Sequence, residues 1–346
     1  MTGAVVNNSA PLLEIDDLKV TFPVSHGIFG KRQFVAVRDV SFDVGEGETF
    51  GLVGESGSGK TTVGRAILRL VPMAAGNIRF DGTDMASFGR DTPLHYRRDV
   101  QVVFQDPRSS LNPRHRVSQI LGQVVARHRH VAGRERDAIV TELLDSVQLS
   151  SFYAGRYPGE LSGGQRQRVA IAHALATQPR LVICDEAVSA LDVSTQSQIL
   201  NLLEDLRGRF KLSYLFISHD LAVVRHLSQR IAVMYLGRVV ETGPAESVYR
   251  NPQHPYTQML LASVLDPDPA HKSVRRAQRR KIADRAEAPR DPAGLQGCPF
   301  QTRCHAVMDI CRNEMPAHRA RPEDGLLACH LVSPAPILNR TSEGVQ

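Results

Sequence analysis

Residues Gly54-Glu55-Ser56-Gly57-Ser58-Gly59-Lys60-Thr61 form a glycine-rich loop that ends in a lysine and a hydroxyl. An apolar run, Thr49-Phe50-Gly51-Leu52-Val53, precedes it, and a helical pattern through Val63, Ala66, Ile67 and Leu70 follows. A strand, a glycine loop and a helix are the context in which such a loop binds phosphate. Gly57 and Gly59 let the backbone come close, so that successive N–H groups face the phosphates at a helix N-terminus. Gly54, Ser56, Ser58 and Thr62 complete the nucleotide-binding stretch. Lys60 is placed to reach the β- and γ-phosphates, and the Thr61 hydroxyl to ligate Mg²⁺.

A second apolar run, Leu181-Val182-Ile183-Cys184, ends in two carboxylates, Asp185 and Glu186. Beside a phosphate loop this reads as a Walker B strand, with Asp185 helping to hold Mg²⁺. Glu186 is then placed to orient and polarise an attacking water. A third element, Leu161-Ser162-Gly163-Gly164-Gln165, opens another helix-like run. Ser162 is a good N-cap, and the two glycines expose backbone N–H groups, which makes a second anion site.

These residues need elements to hold them. Residues 12–22 and 35–44 alternate as half-buried strands do, with Gly27, Gly30, Lys31 and Arg32 reading as a surface loop between them. Short strands are expected at 48–53, 77–80 and 99–104. The pattern is helical from Arg116 to Ser146 and again over 165–178. Beyond it come strands at 181–185, 213–217, 230–235 and 238–242, with helices near 194–208 and 220–227. Alternating strands and helices predict a parallel α/β core, with 105–178 as a helical insertion.

The 346 residues suffice for a large core, and the formal charge of +6 does not choose among anionic partners. No apolar run is long enough to span a bilayer, and Met1 to Leu13 lacks the pattern of a secretory signal. A cytoplasmic chain is expected, so the triplets at Asn7 and Asn339 are not read as glycosylation sites. Cys184 reads as a small buried residue. Cys298, Cys304, Cys311 and Cys329 crowd into a segment that follows a Pro-rich break at Asp266-Pro267-Asp268-Pro269 and a basic run from Arg275 to Lys281. The basic run reads as a solvated helix face, with lipid headgroups as the alternative.

The phosphate loop together with Leu161-Ser162-Gly163-Gly164-Gln165 resembles the ATPase subunits of ABC transporters. The resemblance implies a P-loop NTPase core of ABC type, with an antiparallel β subdomain and a helical subdomain. It implies MgATP as the nucleotide. Gln105, after Val102-Val103-Phe104, looks like the Q-loop glutamine that senses Mg²⁺ and water. Ser189-Ala190-Leu191-Asp192 looks like the D-loop. His219, in Phe216-Ile217-Ser218-His219-Asp220, looks like the switch histidine at the γ-phosphate. Phe22 is the candidate to stack on adenine, with a strand aromatic packed in the core as the alternative. Ser162, Gly163, Gly164 and Gln165 would bind the γ-phosphate held by a second subunit. Glu160 and Arg156-Tyr157-Pro158-Gly159 look like the stretch that senses membrane subunits.

Further stretches are similar to importers of dipeptides and oligopeptides. These are Phe104-Gln105-Asp106-Pro107-Arg108-Ser109-Ser110-Leu111-Asn112-Pro113, then Pro252-Gln253-His254-Pro255-Tyr256-Thr257, and the 185–194 stretch of the F-type subunit. Ala187 departs from the pattern, since many relatives carry proline there. The implied organisation is an ATPase domain over 1–265 and a four-cysteine extension over 266–346. The implied partners are a D-type ATPase, two transmembrane permeases and an extracytoplasmic solute-binding protein, with no nucleic acid. In such importers the four cysteines can hold an iron–sulfur cluster. Four thiolates suit 4Fe–4S ligation or zinc, reduced thiols remain the other possibility, and His305 and His330 read as bystanders. Nickel, glutathione or another solute remain alternatives to peptides, and a soluble non-transport ABC ATPase is the rival class.

Overall fold

The computed structural model describes residues 10–26, 30–263, 296–321 and 325–331. The basic run 275–281, the break at 266–269 and both Asn triplets lie outside the described residues.

Two long strands, β1 (Leu13–His26) and β2 (Gly30–Val44), pair antiparallel. Their ladder runs from Leu13↔Val44 to His26↔Gly30. The loop expected at Gly30, Lys31 and Arg32 is therefore strand, because pairing with the far end of β1 extends the hairpin beyond its apolar alternation. β3 (Thr49–Val53) leads into the phosphate loop and α1 (Lys60–Ile67). β4 (Ala75–Phe80) and β5 (Thr83–Asp84) return to the antiparallel sheet, which has the order β2-β1-β4-β5. α2 (Leu94–Asp99) feeds β6 (Val100–Phe104).

The helical part holds α3 (Val117–Arg129), α4 (Gly133–Ser146) and α5 (Gly163–Leu175). The single helical stretch expected from Arg116 to Ser146 divides because His130 caps α3 in the left-handed region, at φ 56°. β7 (Leu181–Asp185), α6 (Val193–Phe210), β8 (Ser213–Ser218), α7 (Leu221–Leu227), β9 (Arg230–Tyr235) and β10 (Arg238–Pro244) follow. α8 (Ala245–Arg250) and α9 (Pro255–Ser263) end that part of the chain. Two-residue strands β11 (Arg319–Ala320) and β12 (Leu326–Leu327) close the described chain.

The main sheet has the order β11-β12-β10-β9-β3-β8-β7-β6. β3 lies parallel to both β8 and β9, and β7 lies parallel to β8 and β6. The five strands β9-β3-β8-β7-β6 form the parallel core expected, and β10, β12 and β11 extend it with antiparallel strands at one edge. Strands buried on both faces read as continuous apolar runs, and β3 and β8 are buried throughout. One apolar cluster joins the sheet to the helical part, and the other joins it to the β1–β2 layer. Among the described residues no helix is long and apolar enough to cross a membrane.

Candidate functional site

β3, β7 and β8 are neighbours and end at the same edge of the sheet, with Val53 opposite Ser218 and Asp185 opposite Ile217. Crevices outside the carboxyl ends of parallel strands are where such sheets bind ligands. The loop after β3 therefore meets the carboxylates after β7 and the histidine after β8. Gly59 caps α1 in the left-handed region, at φ 103°. A Cβ there would lie 2.6 Å from the Ala36 carbonyl oxygen, so β2 passes too close for any side chain.

Lys60 is buried, and its Nζ donates to the carbonyls of Gly54 at 2.7 Å and Glu55 at 2.8 Å, and to Ser58 Oγ at 3.3 Å. Burial pulls its pKa down, while Glu186, Asp185 and Glu55 push it back up. Thr61 donates from Oγ1 to Asp185 Oδ1 at 2.9 Å. Burial raises the Asp185 pKa, the Thr61 bond opposes it, and Glu186 adds to the rise. Glu186 follows at φ 50°, a left-handed conformation that an ordinary residue enters at a cost. Its N–H donates to the Ile217 carbonyl at 3.0 Å, which holds that turn against β8. His219 Nδ1 then stands 3.6 Å from Glu186 Oε2. Glu186 is mostly covered, at 18% exposed, and His219 is open at 53%.

Gln105 follows β6 directly, and Phe104 pairs with Asp185, so Gln105 leaves the sheet beside the carboxylate pair and is exposed. Phe22 lies on β1 opposite Phe34, half-buried against the hairpin core. Phe34 is the more exposed of the two, at 40%, and sequence periodicity alone does not single it out. Ala36, two residues along the same strand, lies against Gly59, so both rings stand on the strand pair that covers the phosphate loop.

The Ser162 element stands apart, on the helical part. Ser162 Oγ accepts from the Gln165 N–H at 3.2 Å, and Gln165 Oε1 accepts from the Ser162 N–H at 2.9 Å, which forms a capping box. Gln165 Nε2 also donates to Tyr153 Oη at 2.9 Å. Ser162 is exposed while Gly163 and Gly164 are half-buried. A Cβ on Gly163 would meet Leu191 at 3.5 Å, so the 189–192 turn lies beside the two glycines. Asp192 caps α6 through Thr195 at 2.9 Å, and its bonds to Ser194 and Thr195 bring its pKa down to about 2.

Two family models match the chain. The ABC transporter model covers residues 37–189, and the oligopeptide/dipeptide transporter C-terminal region covers 240–311. The oligopeptide transport ATP-binding protein AppF of Bacillus subtilis (strain 168) is 44% identical over 336 residues, which is 96% of this chain and 100% of that protein. The chain belongs to the ATP-binding proteins of the oligopeptide/dipeptide ABC transporter family. The glutathione import ATP-binding protein GsiA of Escherichia coli O157:H7 is 48% identical over 281 residues, or 81% of this chain, but these span 45% of that protein. A bacterial ABC transporter cassette solved as a dimer superposes with a TM-score of 0.60 at 29% identity, over 67% of this chain and 98% of that one. CbiO1 of Clostridium perfringens shares the fold, with a TM-score of 0.61 at 24% identity over 70% and 92% of the two chains. Membership makes this ABC ATPase an ATP-hydrolysing protein, as the arrangement of loop and carboxylates implies.

Cys298, Cys304, Cys311 and Cys329 are buried, and none of the five cysteines is in a disulfide. Three of the four pack into the same apolar cluster as Phe300. Burial pushes the Cys298 thiol up to about 11, and nearby Cys311, Cys329 and Cys304 push the same way. The four thiols thus share a neighbourhood. Yet among the described residues no group of three or more His, Cys, Asp or Glu is placed to hold a metal ion. Placement decides for a ligand set, so the expected 4Fe–4S or zinc centre is not supported. Cys184 is fully buried in β7, as expected, and its thiol is pushed up to about 12.

Proposed function

We infer that this chain is the F-type ATP-binding subunit of a peptide importer and hydrolyses ATP to drive uptake. The observation that carries the chemistry is the chain of contacts from Thr61 through Asp185 and Glu186 to His219 at one sheet edge. The similarity to AppF and the match to the oligopeptide/dipeptide C-terminal region support peptides as the solute.

Lys60 is buried and already bonded to its own loop, so phosphate oxygens can take over from the carbonyls of Gly54 and Glu55 at little reorganisation cost. The Thr61 hydroxyl and the Asp185 carboxylate, in direct contact, fit Mg²⁺, which favours one or two protein ligands beside substrate phosphates. Held by Thr61 and Asp185, Mg²⁺ would offset the charge that develops on the phosphates. Glu186 accepts a hydrogen bond from the attacking water and orients it in line. His219 and Gln105 border that position, Gly54 to Thr62 cradle the phosphates, and Phe22 supports adenine. Ser162, Gly163, Gly164 and Gln165 serve the ATP of a partner subunit, a reading supported by the family match and by their place at the N-terminus of α5.

The partners of this reading are a D-type ATPase, two transmembrane permeases and an extracytoplasmic binding protein, with the chain peripheral on the inner face of the membrane. ATP-dependent uptake of a labelled mixture of short peptides by vesicles carrying the complex tests it. Uptake lost with Lys60→Ala supports the reading, and uptake unchanged by that variant contradicts it. Uptake of glutathione in place of peptides would move the solute to the chemistry named for GsiA.

The four cysteines carry no step here. Their reading as a 4Fe–4S site, with zinc as the alternative, is supported by their spacing and shared neighbourhood. Anaerobically purified protein with about four irons and four sulfides per chain would reinstate it. Iron-free protein loaded with zinc would move the reading to the alternative, and protein free of both metals would contradict it.

A further inference from the structure

The Glu55 carboxylate has no step in the chemistry above, yet the residue is held from three sides. Its backbone N–H donates to Tyr256 Oη at 2.8 Å, and its carbonyl accepts from Lys60 Nζ at 2.8 Å. Its carboxylate receives a fork from Arg303, with Nη1 2.8 Å from Oε2 and Nη2 2.9 Å from Oε1. Tyr256 belongs to α9 and is fully buried. Arg303 lies in the C-terminal segment between Cys298 and Cys304.

The guanidinium is not a loose surface charge, for its side chain is 15% exposed. It lies 5.9 Å from the ring centres of both Tyr235 and Phe300, and Nη2 reaches Met259 Sδ at 3.5 Å. Tyr235, Tyr256 and Phe300 pack on one another, with centroids 4.6 to 5.5 Å apart. A rigid aromatic group therefore fixes both the hydroxyl and the fork that grip Glu55. Two-point arginine–carboxylate pairs are geometrically demanding as well as strong.

We propose that Arg303 is a positioning residue for ATP, which fixes Glu55 together with Tyr256 and so sets the loop backbone that presents Lys60. The carbonyls of Gly54 and Glu55 make the two shorter of the three bonds to Lys60, and a shift of Glu55 moves both. The C-terminal segment thereby acts on nucleotide affinity. A fork that only fastened the segment to the core would change stability and leave affinity alone. The inference rests on the phosphate loop being the ATP site, and its test separates the two.

The test measures hydrolysis against MgATP concentration, with melting temperature alongside, for the assembled transporter complex carrying the native chain, Arg303→Ala, Arg303→Lys, Glu55→Ala or the double alanine variant. Arg303→Ala is expected to raise KM roughly fivefold to tenfold with kcat within about twofold, and the double variant to be no worse than either single change. Arg303→Lys, with one donor direction in place of a fork, is expected to recover about half of the loss. KM within about twofold of the native value in Arg303→Ala, whatever the melting temperature, overturns the proposal, as do additive effects in the double variant. If Arg303→Ala does not fold, Glu55→Gln keeps the shape and loses the charge, and an unchanged KM there overturns it equally. Native hydrolysis by Lys60→Ala would sink the ATP-site reading itself. An inactive Lys60→Ala beside an Arg303→Ala of native KM would sink this proposal alone.

Discussion

At the scale of single residues, the site depends on where charge is buried. Lys60 is desolvated inside its own loop and steadied by three carboxylates, so its ammonium is presented without a water shell to remove. Lys60→Ala is expected to weaken MgATP binding by about 10- to 100-fold, because a charge-assisted contact to phosphate is lost. Equilibrium binding of a fluorescent ATP analogue measures it, and native affinity in that variant would remove Lys60 from the phosphate site. Glu186 occupies a left-handed backbone conformation that its sequence does not advertise. The N–H bond to Ile217 holds that conformation and aims the carboxylate at His219. Sequence pattern supplies the identity of these residues but not this aim, which comes from β7 and β8 ending side by side.

At the scale of elements, the capping box at α5 and the turn at 189–192 form one surface. A Cβ on Gly164 would stand 2.5 Å from Thr195 Cγ2, and Thr195 is itself bonded to Asp192. Gly164→Ala must therefore push α5 away from the start of α6, at a cost of about 1–3 kcal/mol in unfolding free energy. Chemical denaturation checks this, and unchanged stability would mean that the two helices yield freely. Long periodic elements were legible in the sequence: β7 matches its expected span, and the strands and helices after it shift by only a residue or two. Gly30 to Arg32 were not legible as strand, because a cross-strand partner and not local alternation makes them so. β11 and β12 were equally hidden, since two residues leave no period to read and only pairing makes them strands, β12 on β10 and β11 on β12.

At the scale of the whole molecule, the C-terminal segment is joined to the ATPase core at the sheet edge and at the phosphate loop. Glu241 of β10 is fully buried, accepts the N–H groups of Gln253 at 2.9 Å and His254 at 3.0 Å, and faces Arg321 at 3.4 Å. His254, in the same buried junction, accepts the Tyr256 N–H at Nδ1, 3.0 Å away, so it must be neutral there. Burial brings its pKa from 6.5 to about 4. The unfolded chain therefore binds this proton more readily, and stability is fully present above pH 6.5 and lost as the pH falls toward 4. The loss is expected to reach about 3 kcal/mol and to shrink in His254→Gln, as denaturation at several pH values would show. An identical pH dependence in that variant would place the titrating group elsewhere. The two phosphate elements were both legible as motifs, but their separation within the chain is a property of the fold. Lys60 sits at the sheet edge and Ser162 at the start of α5, and on the proposed reading the Ser162 element serves the ATP of a second subunit. The central claim is that Glu186 acts on the water attacking an ATP held by Lys60. The most direct measurement is steady-state hydrolysis by Glu186→Gln alongside its MgATP affinity. The account predicts native affinity with turnover reduced by about 10²- to 10⁴-fold, and turnover within twofold of the native rate would contradict it.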